Sequence, residues 1–222
     1  MAQSAIVLAG GRSSRLGGVS KAALEYDGEA LLARTVAAVR SVLERPGCRV
    51  PMAVVGPEAE AAALLETVPG ALLVREDPPF AGPAAAIAAG LAALPPQDRE
   101  PGARVVVLAC DMPGIAGALE ALSGWLADHP EAAGAIAVDA GRDQPLAAVY
   151  PAAGLGAALA DLRATRGLEN APVHPLVASL EAAGLPLARV IVPAASTADV
   201  DTWADAAQLG VGPHRATEPG TI

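Results

Sequence analysis

The sequence has few aromatic residues and almost no cysteine. Aromatic side chains make up 2% of its 222 residues, so the core has to be built from alanine, valine, leucine and isoleucine. The two cysteines, Cys48 and Cys110, cannot form a disulfide framework or, by themselves, a zinc site. No apolar run is long enough to span a bilayer, and the N-terminus has neither the charged segment nor the cleavage site of a secretion signal. We therefore expect a cytoplasmic protein that does not contact a membrane.

Basic residues are also scarce. The 15 lysine and arginine residues are outnumbered by 24 aspartate and glutamate residues, which gives a formal net charge of −9. This balance argues against non-specific binding to nucleic acid, which requires a basic face. A small anionic substrate is compatible with it, because a local group of basic residues or a divalent metal can reverse the field at one site. The segment LAGGRSSRLGGVSKAAL contains such a group: Arg12, Arg15 and Lys21.

Short apolar runs alternate with longer helical patterns along the chain. Runs such as RVVVLA, rich in β-branched residues and without polar alternation, indicate strands covered on both faces and hence a mainly parallel sheet. The pattern predicts strands at Ser4–Ala9, Met52–Val55, Leu72–Arg75, Arg104–Ala109, Gly134–Val138, Leu146–Tyr150 and Leu187–Val192. It predicts helices at Leu31–Leu43, Glu58–Glu66, Pro83–Ala93, Ile115–Ala127, Gly154–Leu162, Pro175–Ala183 and Thr202–Leu209.

These elements predict an α/β fold, a single doubly wound and mainly parallel sheet with helices on both faces. We expect one domain over residues 1–209. Residues 210–222 have no periodicity and are predicted to form a mobile C-terminal tail. In open α/β sheets, ligands bind beyond the carboxyl ends of the strands, so the residues that follow each strand are the candidates for a site.

The segment after the first predicted strand is rich in glycine. Gly10, Gly11, Gly17 and Gly18 allow backbone N–H groups to approach a ligand closely, and successive N–H groups ahead of a helix form a cradle for anions. The spacing fits neither the phosphate-binding loop Gly-x-x-x-x-Gly-Lys-Ser/Thr nor the dinucleotide fingerprint Gly-x-Gly-x-x-Gly. From these residues alone, an anion site and a solvated turn between strand and helix are both compatible with the pattern.

Asp111 follows the apolar strand RVVVLA, and Pro113 fixes the chain immediately after it. A carboxylate at a strand end suits Mg²⁺, a hard ion that prefers oxygen ligands and bridges to phosphates. Aspartate is also favoured as the N-cap of a helix, which is the structural alternative for Asp111.

Five segments of the chain together resemble one family. The segment LAGGRSSRLGG, with Lys21, matches the signature L-x-G-G-x-x-x-R-[ML]-G-…-K of the nucleotidyltransferase superfamily. The other matching segments are REDPPFAGPAAAIAAGL, VVLACDMPGI, RDQPLAAVYPAA and DVDTWADAAQLG. Within the superfamily the chain is most similar to the molybdenum cofactor guanylyltransferases, over about residues 4–209.

This resemblance implies a Rossmann-like nucleotidyltransferase fold and a Mg²⁺-dependent reaction. A molybdopterin phosphate would attack the α-phosphate of GTP, giving the guanine dinucleotide cofactor and pyrophosphate. Arg15 and the backbone of Gly10–Arg12 would hold the departing phosphates, and Lys21 would neutralise charge at the α-phosphate. Asp111 would hold the metal, with Asp201 as the second ligand and Asp199 as its competitor. A cap for the last helix is the structural alternative for Asp201. The implied nucleotide-binding residues are Leu8, Ala9, Gly10, Gly11, Arg12, Lys21, Asp77 and Asp111, and the implied catalytic residues are Arg15, Lys21 and Asp111.

The resemblance also bears on the base. A carboxylate at Asp77 suits guanine, whose N1–H and 2-amino group form a paired donor edge, although a residue ahead of Pro78 and Pro79 is also typical of a turn. Relatives that use CTP usually carry alanine at the first loop glycine, so Gly10 favours GTP.

Three alternatives stay open at this point. The same fold and metal site would serve a cytidylyltransferase, or an enzyme that transfers a nucleotide to a sugar phosphate or another small phosphate, because fold does not fix the substrate. A non-catalytic module that binds the nucleotide or hands over the cofactor is the third. A molybdoenzyme or its chaperone is the candidate protein partner. Arg142, Arg163 and Arg166 are candidates for anchoring the pterin phosphate or else solvated surface charges.

Overall fold

The chain folds around a seven-stranded sheet, which confirms the predicted α/β architecture. The computed structural model describes residues 4–11, 13–56 and 70–213. The strands of this main sheet are β1 (Ser4–Leu8), β4 (Met52–Val55), β5 (Ala71–Val74), β6 (Arg104–Ala109), β7 (Gly134–Asp139), β8 (Arg142–Pro151) and β9 (Leu187–Ile191), in the order β5-β4-β1-β6-β8-β7-β9. A small second sheet consists of β2 (Glu25–Tyr26), β3 (Glu29–Ala30) and β10 (Val211–Gly212). In the main sheet β8 runs antiparallel to both neighbours, and the other pairs are parallel.

Helices cover both faces of the main sheet, as predicted. They are α1 (Leu31–Leu43), α2 (Pro83–Ala93), α3 (Ile115–Asp128), α4 (Ala152–Thr165), α5 (His174–Ala182) and α6 (Trp203–Leu209). Along β1, Ala5 and Val7 are buried against α1 and α3, whereas Ile6 and Leu8 are buried in a second cluster with α2, α4 and α5. This alternation is what a strand covered on both faces requires. The predicted helix Glu58–Glu66 lies outside the described residues.

Strands β7 and β8 form a hairpin that the sequence pattern did not reveal. The pattern predicted a strand only at Leu146–Tyr150, but β8 begins at Arg142. The two residues of the turn, Ala140 and Gly141, have φ values of 48° and 74°. Positive φ at both positions belongs to a mirror-image turn whose twist matches that of the strands. Alanine is atypical at the first of these positions, so the turn carried no sequence signal.

The folded chain extends beyond the domain boundary predicted at residue 209. Gly210 ends α6 with φ of 71°, and Val211 then pairs with Tyr26 in the small sheet and is buried. A strand of two residues has no periodicity from which it could be predicted. Residues 214–222, the rest of the predicted tail, lie outside the described residues. Within the described ranges, no helix combines the length and the apolar character needed to cross a membrane.

Candidate active site

A cavity of about 430 Å³ lies at the carboxyl ends of β1 and β6. This is the edge of the sheet at which open α/β folds bind their ligands. Residues 8–11, four of those predicted to bind a nucleotide, form one wall, and Asp111 belongs to another. Arg12, the next residue of the glycine-rich loop, lies outside the described residues.

Lys21 is the only lysine of the chain, and it lines this cavity. Its Nζ donates to Asp111 Oδ2 at 2.8 Å and to Asp201 Oδ1 at 2.5 Å. Burial by itself lowers the pKa of a lysine, but the ion pairs with the two carboxylates outweigh it, so the pKa of Lys21 is raised above its ordinary value. The ammonium group is therefore held in its charged form between the two acids.

Three carboxylates converge at the end of β6. Asp111, Asp199 and Asp201 each contribute one oxygen, and these atoms lie within 4.8 Å of one another. The loop that carries the last two is tied to the end of β6, because the Val200 N–H donates to the Asp111 carbonyl oxygen at 3.0 Å. The sequence left Asp199 and Asp201 as competitors, whereas the structure places both beside Asp111. Gly114 is the N-cap of α3, so Asp111 does not cap that helix.

This set of donors suits a divalent cation. All three groups are carboxylates, the ligand type that Mg²⁺ prefers. Burial, together with the negative charges of Asp111 and Asp201, raises the pKa of Asp199. A cation between the three groups would relieve this repulsion, which Lys21 relieves in part. The residues present therefore fit Mg²⁺.

Arg15 reaches the same cluster from outside the cavity. It lies on a short 3-10 turn, Ser14–Leu16, and its Nη1 is 3.3 Å from Asp201 Oδ2. Its side chain is 71% exposed. An exposed ion pair contributes little free energy. Breaking the pair with Asp201 so that Arg15 can bind a ligand phosphate would therefore cost little free energy.

The structure separates Asp77, the residue predicted to recognise the base, from the cavity. Asp77 is exposed and does not line the cavity wall, whereas Glu76 lines it and is 7% exposed. Phe80 also lines the cavity, and its backbone N–H donates to Glu76 Oε1 at 2.9 Å. Sequence reasoning missed Glu76 and Phe80. The one available signal was the pair of adjacent acids after β5, and it did not indicate which of the two turns inward.

The second half of the chain contributes a loop to the same cavity. Asn170 lines it, and the Asn170 N–H donates to the Ala81 carbonyl oxygen at 2.6 Å, so this loop is joined to the one that precedes α2. The three arginines considered as phosphate anchors are exposed and do not line the cavity: Arg142, Arg163 and Arg166. The structure does not bring them to the carboxylate cluster.

Several solved structures share this fold, although no curated protein matches the chain. The homologue of Mycobacterium tuberculosis rv0371c from Mycobacterium sp. strain JC1 is 26% identical with a TM-score of 0.66, over 93% of each chain. Molybdopterin-guanine dinucleotide biosynthesis protein A from Archaeoglobus fulgidus is 18% identical with a TM-score of 0.61, over 93% of this chain and 96% of that one. The 2-C-methyl-D-erythritol 4-phosphate cytidylyltransferase from Thermus thermophilus is 20% identical with a TM-score of 0.60, over 95% of this chain and 100% of that one.

The last two likenesses establish the fold alone, and the names of those proteins refer to different nucleotides. A family model is more specific. The model described as MobA-like NTP transferase domain matches residues 5–199, which include the glycine-rich loop, Lys21 and Asp111. The chain therefore belongs to the family of MobA-like NTP transferase domains.

Proposed function

We propose that the protein is a Mg²⁺-dependent guanylyltransferase. It would move GMP from GTP to the phosphate of molybdopterin, free or carrying molybdenum, and release pyrophosphate. The observation that carries nucleotidyl transfer is the position of Lys21 between Asp111 and Asp201, at a cavity walled by the glycine-rich loop. A triphosphate requires positive charge, backbone N–H donors and a metal site in one place. The cavity is lined by Lys21, by Gly10 and Gly11, and by Asp111 and Asp199, which supports the proposal.

In the proposed reaction, an oxygen of the acceptor phosphate forms a bond to the α-phosphorus of GTP. The bond from that phosphorus to the oxygen shared with the β-phosphate breaks, and pyrophosphate leaves. The protein contributes positioning and charge stabilisation rather than covalent chemistry. Lys21 neutralises charge at the α-phosphate, while the glycine-rich loop and Arg15 hold the departing phosphates. Asp111, Asp199 and Asp201 would hold Mg²⁺, which when bound neutralises further charge on the phosphate oxygens.

Two features support GTP as the nucleotide. Gly10 occupies the loop position at which the similar CTP-using enzymes usually carry alanine. Glu76 brings into the cavity a carboxylate that suits the paired N–H donors of guanine. The molybdopterin acceptor is supported by the family and by the name of the Archaeoglobus neighbour. We place the reaction in the cytoplasm, with a molybdoenzyme or its chaperone receiving the product.

Cytidylyl transfer is the second candidate. It is supported by the likeness to the Thermus cytidylyltransferase, whose whole chain is covered. The carboxylate cluster and Lys21 would serve this reaction equally well, because the phosphate chemistry is the same. The two candidates differ in the base and in the acceptor.

The test is pyrophosphate release from GTP and from CTP, measured separately with Mg²⁺ and with molybdenum-bound molybdopterin as the acceptor. We expect release from GTP alone. Release from CTP alone would replace the first candidate by the second. No release with either nucleotide, from folded protein, would contradict transfer to this acceptor.

Variants at the carboxylate cluster test the proposed roles of its residues. Lys21→Ala and Asp111→Ala should each lower the rate of pyrophosphate release by about 100-fold or more, with the circular dichroism spectrum unchanged. Asp128→Asn removes an exposed carboxylate at the end of α3 and serves as the control, which should keep the wild-type rate. Wild-type turnover in either of the first two variants would overturn these roles.

A further inference from the structure

Phe80 adopts a backbone conformation that is unfavourable for its residue type. It is the only phenylalanine of the chain, and its φ is 61°, in the left-handed region that bulky residues rarely enter. Its side chain is not buried in the core, since the residue is 37% exposed and lines the cavity. The fold therefore holds an aromatic ring at the cavity wall in a conformation that core packing does not require.

Hydrogen bonds from two directions keep the Phe80 loop in place. The Phe80 N–H donates to Glu76 Oε1 at 2.9 Å, and the next carbonyl, that of Ala81, accepts from the Asn170 N–H at 2.6 Å. The guanidinium carbon of Arg75 lies 5.7 Å from the centre of the Phe80 ring. The backbone that carries the ring is thus held before any ligand binds, which lowers the entropic cost of ordering this loop on binding.

Glu76 supplies a polar group beside this ring. It is buried, with 7% of its surface exposed, and it lines the cavity. Its Oε1 would be 3.9 Å from a Cβ atom built on Gly10, so the carboxylate lies near the glycine-rich loop. Among the described residues, Phe80 is the donor to Oε1, and none donates to Oε2. The carboxylate therefore has acceptor capacity left for a ligand.

We infer that Phe80 is the stacking surface, and Glu76 the reader of the N–H edge, for a planar 2-amino-4-oxo heterocycle. An aromatic ring binds the face of such a heterocycle, and a carboxylate accepts from its adjacent N–H and 2-amino donors. Guanine and pterin both carry this edge. The bound heterocycle is therefore either the base of the nucleotide or the pterin of the acceptor. The position of Glu76 near Gly10 favours the nucleotide. This inference rests on the proposed function, which supplies both ligands.

Phe80→Gly is the sharpest variant for testing the stacking. Glycine adopts a φ of 61° without strain. This variant should therefore fold, and its Tm should be no lower than that of the wild type. It should bind GTP about 10-fold more weakly, because the stacking surface is gone. Phe80→Tyr keeps a ring and should retain wild-type affinity. Tyr26→Leu is the matched control, because Tyr26 also stacks with an arginine, Arg34, but does not line the cavity.

Glu76→Gln tests the reading of the edge. Its amide oxygen can still accept from the Phe80 N–H, so the loop is preserved, but one acceptor becomes a donor. The wild type should prefer GTP to ITP, which lacks the 2-amino group. Glu76→Gln should lose most of this preference. A preference equal to that of the wild type would overturn the role of Glu76.

Dissociation constants for GTP, ITP and 6-hydroxymethylpterin, measured by calorimetry with Mg²⁺ present, identify the source of the heterocycle. Weaker GTP binding in Phe80→Gly would show that Phe80 stacks on the base of the nucleotide. Weaker pterin binding would show that it stacks on the pterin of the acceptor. If both affinities match those of Tyr26→Leu and the wild type, the stacking role is overturned. Failure of the proposed function is distinguishable from this outcome, because it appears in the wild type as release of pyrophosphate from CTP or from neither nucleotide.

Discussion

The charge of Lys21 is set by two opposing effects of its surroundings. Burial opposes its charge, but the ion pairs with Asp111 and Asp201 prevail and raise its pKa. Since the folded-state pKa is raised, the stabilisation by these pairs is complete below the ordinary lysine pKa of about 10.4 and is lost as the pH rises through the folded-state value. The chain has no other lysine, so ¹⁵N-lysine labelling gives one side-chain resonance. Its titration should give a pKa above the ordinary value.

Two variants show which contacts raise this pKa. Asp111→Asn removes one ion pair and should lower the pKa of Lys21, whereas Asp128→Asn, far along α3, should leave it unchanged. A wild-type pKa at or below that of an ordinary lysine would contradict the ion-pair geometry.

The acidic residues show how far the site could be predicted from the sequence. Asp111 follows a buried strand, and the carboxyl ends of parallel strands meet at one edge of the sheet, so its place beside the glycine-rich loop followed from the pattern. Asp199 and Asp201 come to Asp111 through the hydrogen bond of Val200, a tertiary contact that no local pattern encodes. For the same reason the sequence could not tell that Glu76, rather than its neighbour, faces the cavity, because the contact with Phe80 fixes it.

Helix α2 packs very closely on the sheet at Gly90. A Cβ atom there would lie 2.6 Å from Ile6 Cγ2 and 3.0 Å from Val55 Cγ2. Gly90→Ala should lower the free energy of unfolding, because overpacking costs about 1–3 kcal/mol and alanine gains at most about 1 kcal/mol in helix propensity. On α3, a Cβ atom at Gly124 meets nothing within 4 Å, so Gly124→Ala should raise the free energy of unfolding. Urea unfolding of both variants checks the opposite signs, and a gain for Gly90→Ala would contradict the close packing.

A capping box positions helix α6 and, with it, Asp201. Thr202 Oγ1 accepts from the Asp205 N–H at 3.2 Å, and Asp205 Oδ2 accepts from the backbone N–H groups of Thr202 at 2.7 Å and Asp201 at 3.2 Å. Thr202→Ala should lower the free energy of unfolding by about 1 kcal/mol at neutral pH. It should also weaken Mg²⁺ binding, because the Thr202 hydroxyl donates to Asp205 Oδ2 at 2.8 Å, and this same oxygen accepts from the Asp201 N–H. Urea unfolding and calorimetry with Mg²⁺ measure the two effects.

The pH dependence of this cap has a defined sign. Hydrogen bonds from the Thr202 hydroxyl and backbone lower the pKa of Asp205. The contribution of Asp205 is therefore present above the ordinary aspartate pKa of about 3.9 and is lost as the pH falls through the lower, folded-state value. Thr202→Ser keeps the hydroxyl and should behave like the wild type. Equal stability of Thr202→Ala and the wild type at neutral pH would show that the cap does not support α6.

The whole molecule combines a predictable sheet with connections that only the tertiary structure reveals. The central strands and the core on both faces followed from apolar runs such as RVVVLA, since burial on both sides leaves no polar alternation. The small sheet could not be predicted in this way, because each of its strands has two residues and β10 pairs with the distant β2. The site depends on both levels, as the glycine-rich loop follows a predictable strand and Asp199 follows a loop placed by tertiary contacts.

Ligand binding should stabilise the entire fold, because the cavity is lined by residues from position 8 to position 199. A ligand that binds only the folded state raises the free energy of unfolding by about 2.7 kcal/mol when its concentration is 100 times its dissociation constant. For a domain of this size that corresponds to a rise in Tm of roughly 5–11 °C, which we expect with Mg²⁺ and GTP together. Asp201→Asn keeps the size of the side chain but removes its ion pairs with Lys21 and Arg15 as well as its repulsion with Asp111 and Asp199. It should therefore still fold but lose most of the Mg²⁺-dependent rise, whereas Asp128→Asn should keep it. An undiminished rise in Asp201→Asn, measured by scanning calorimetry, would mean that the nucleotide is held without Asp201.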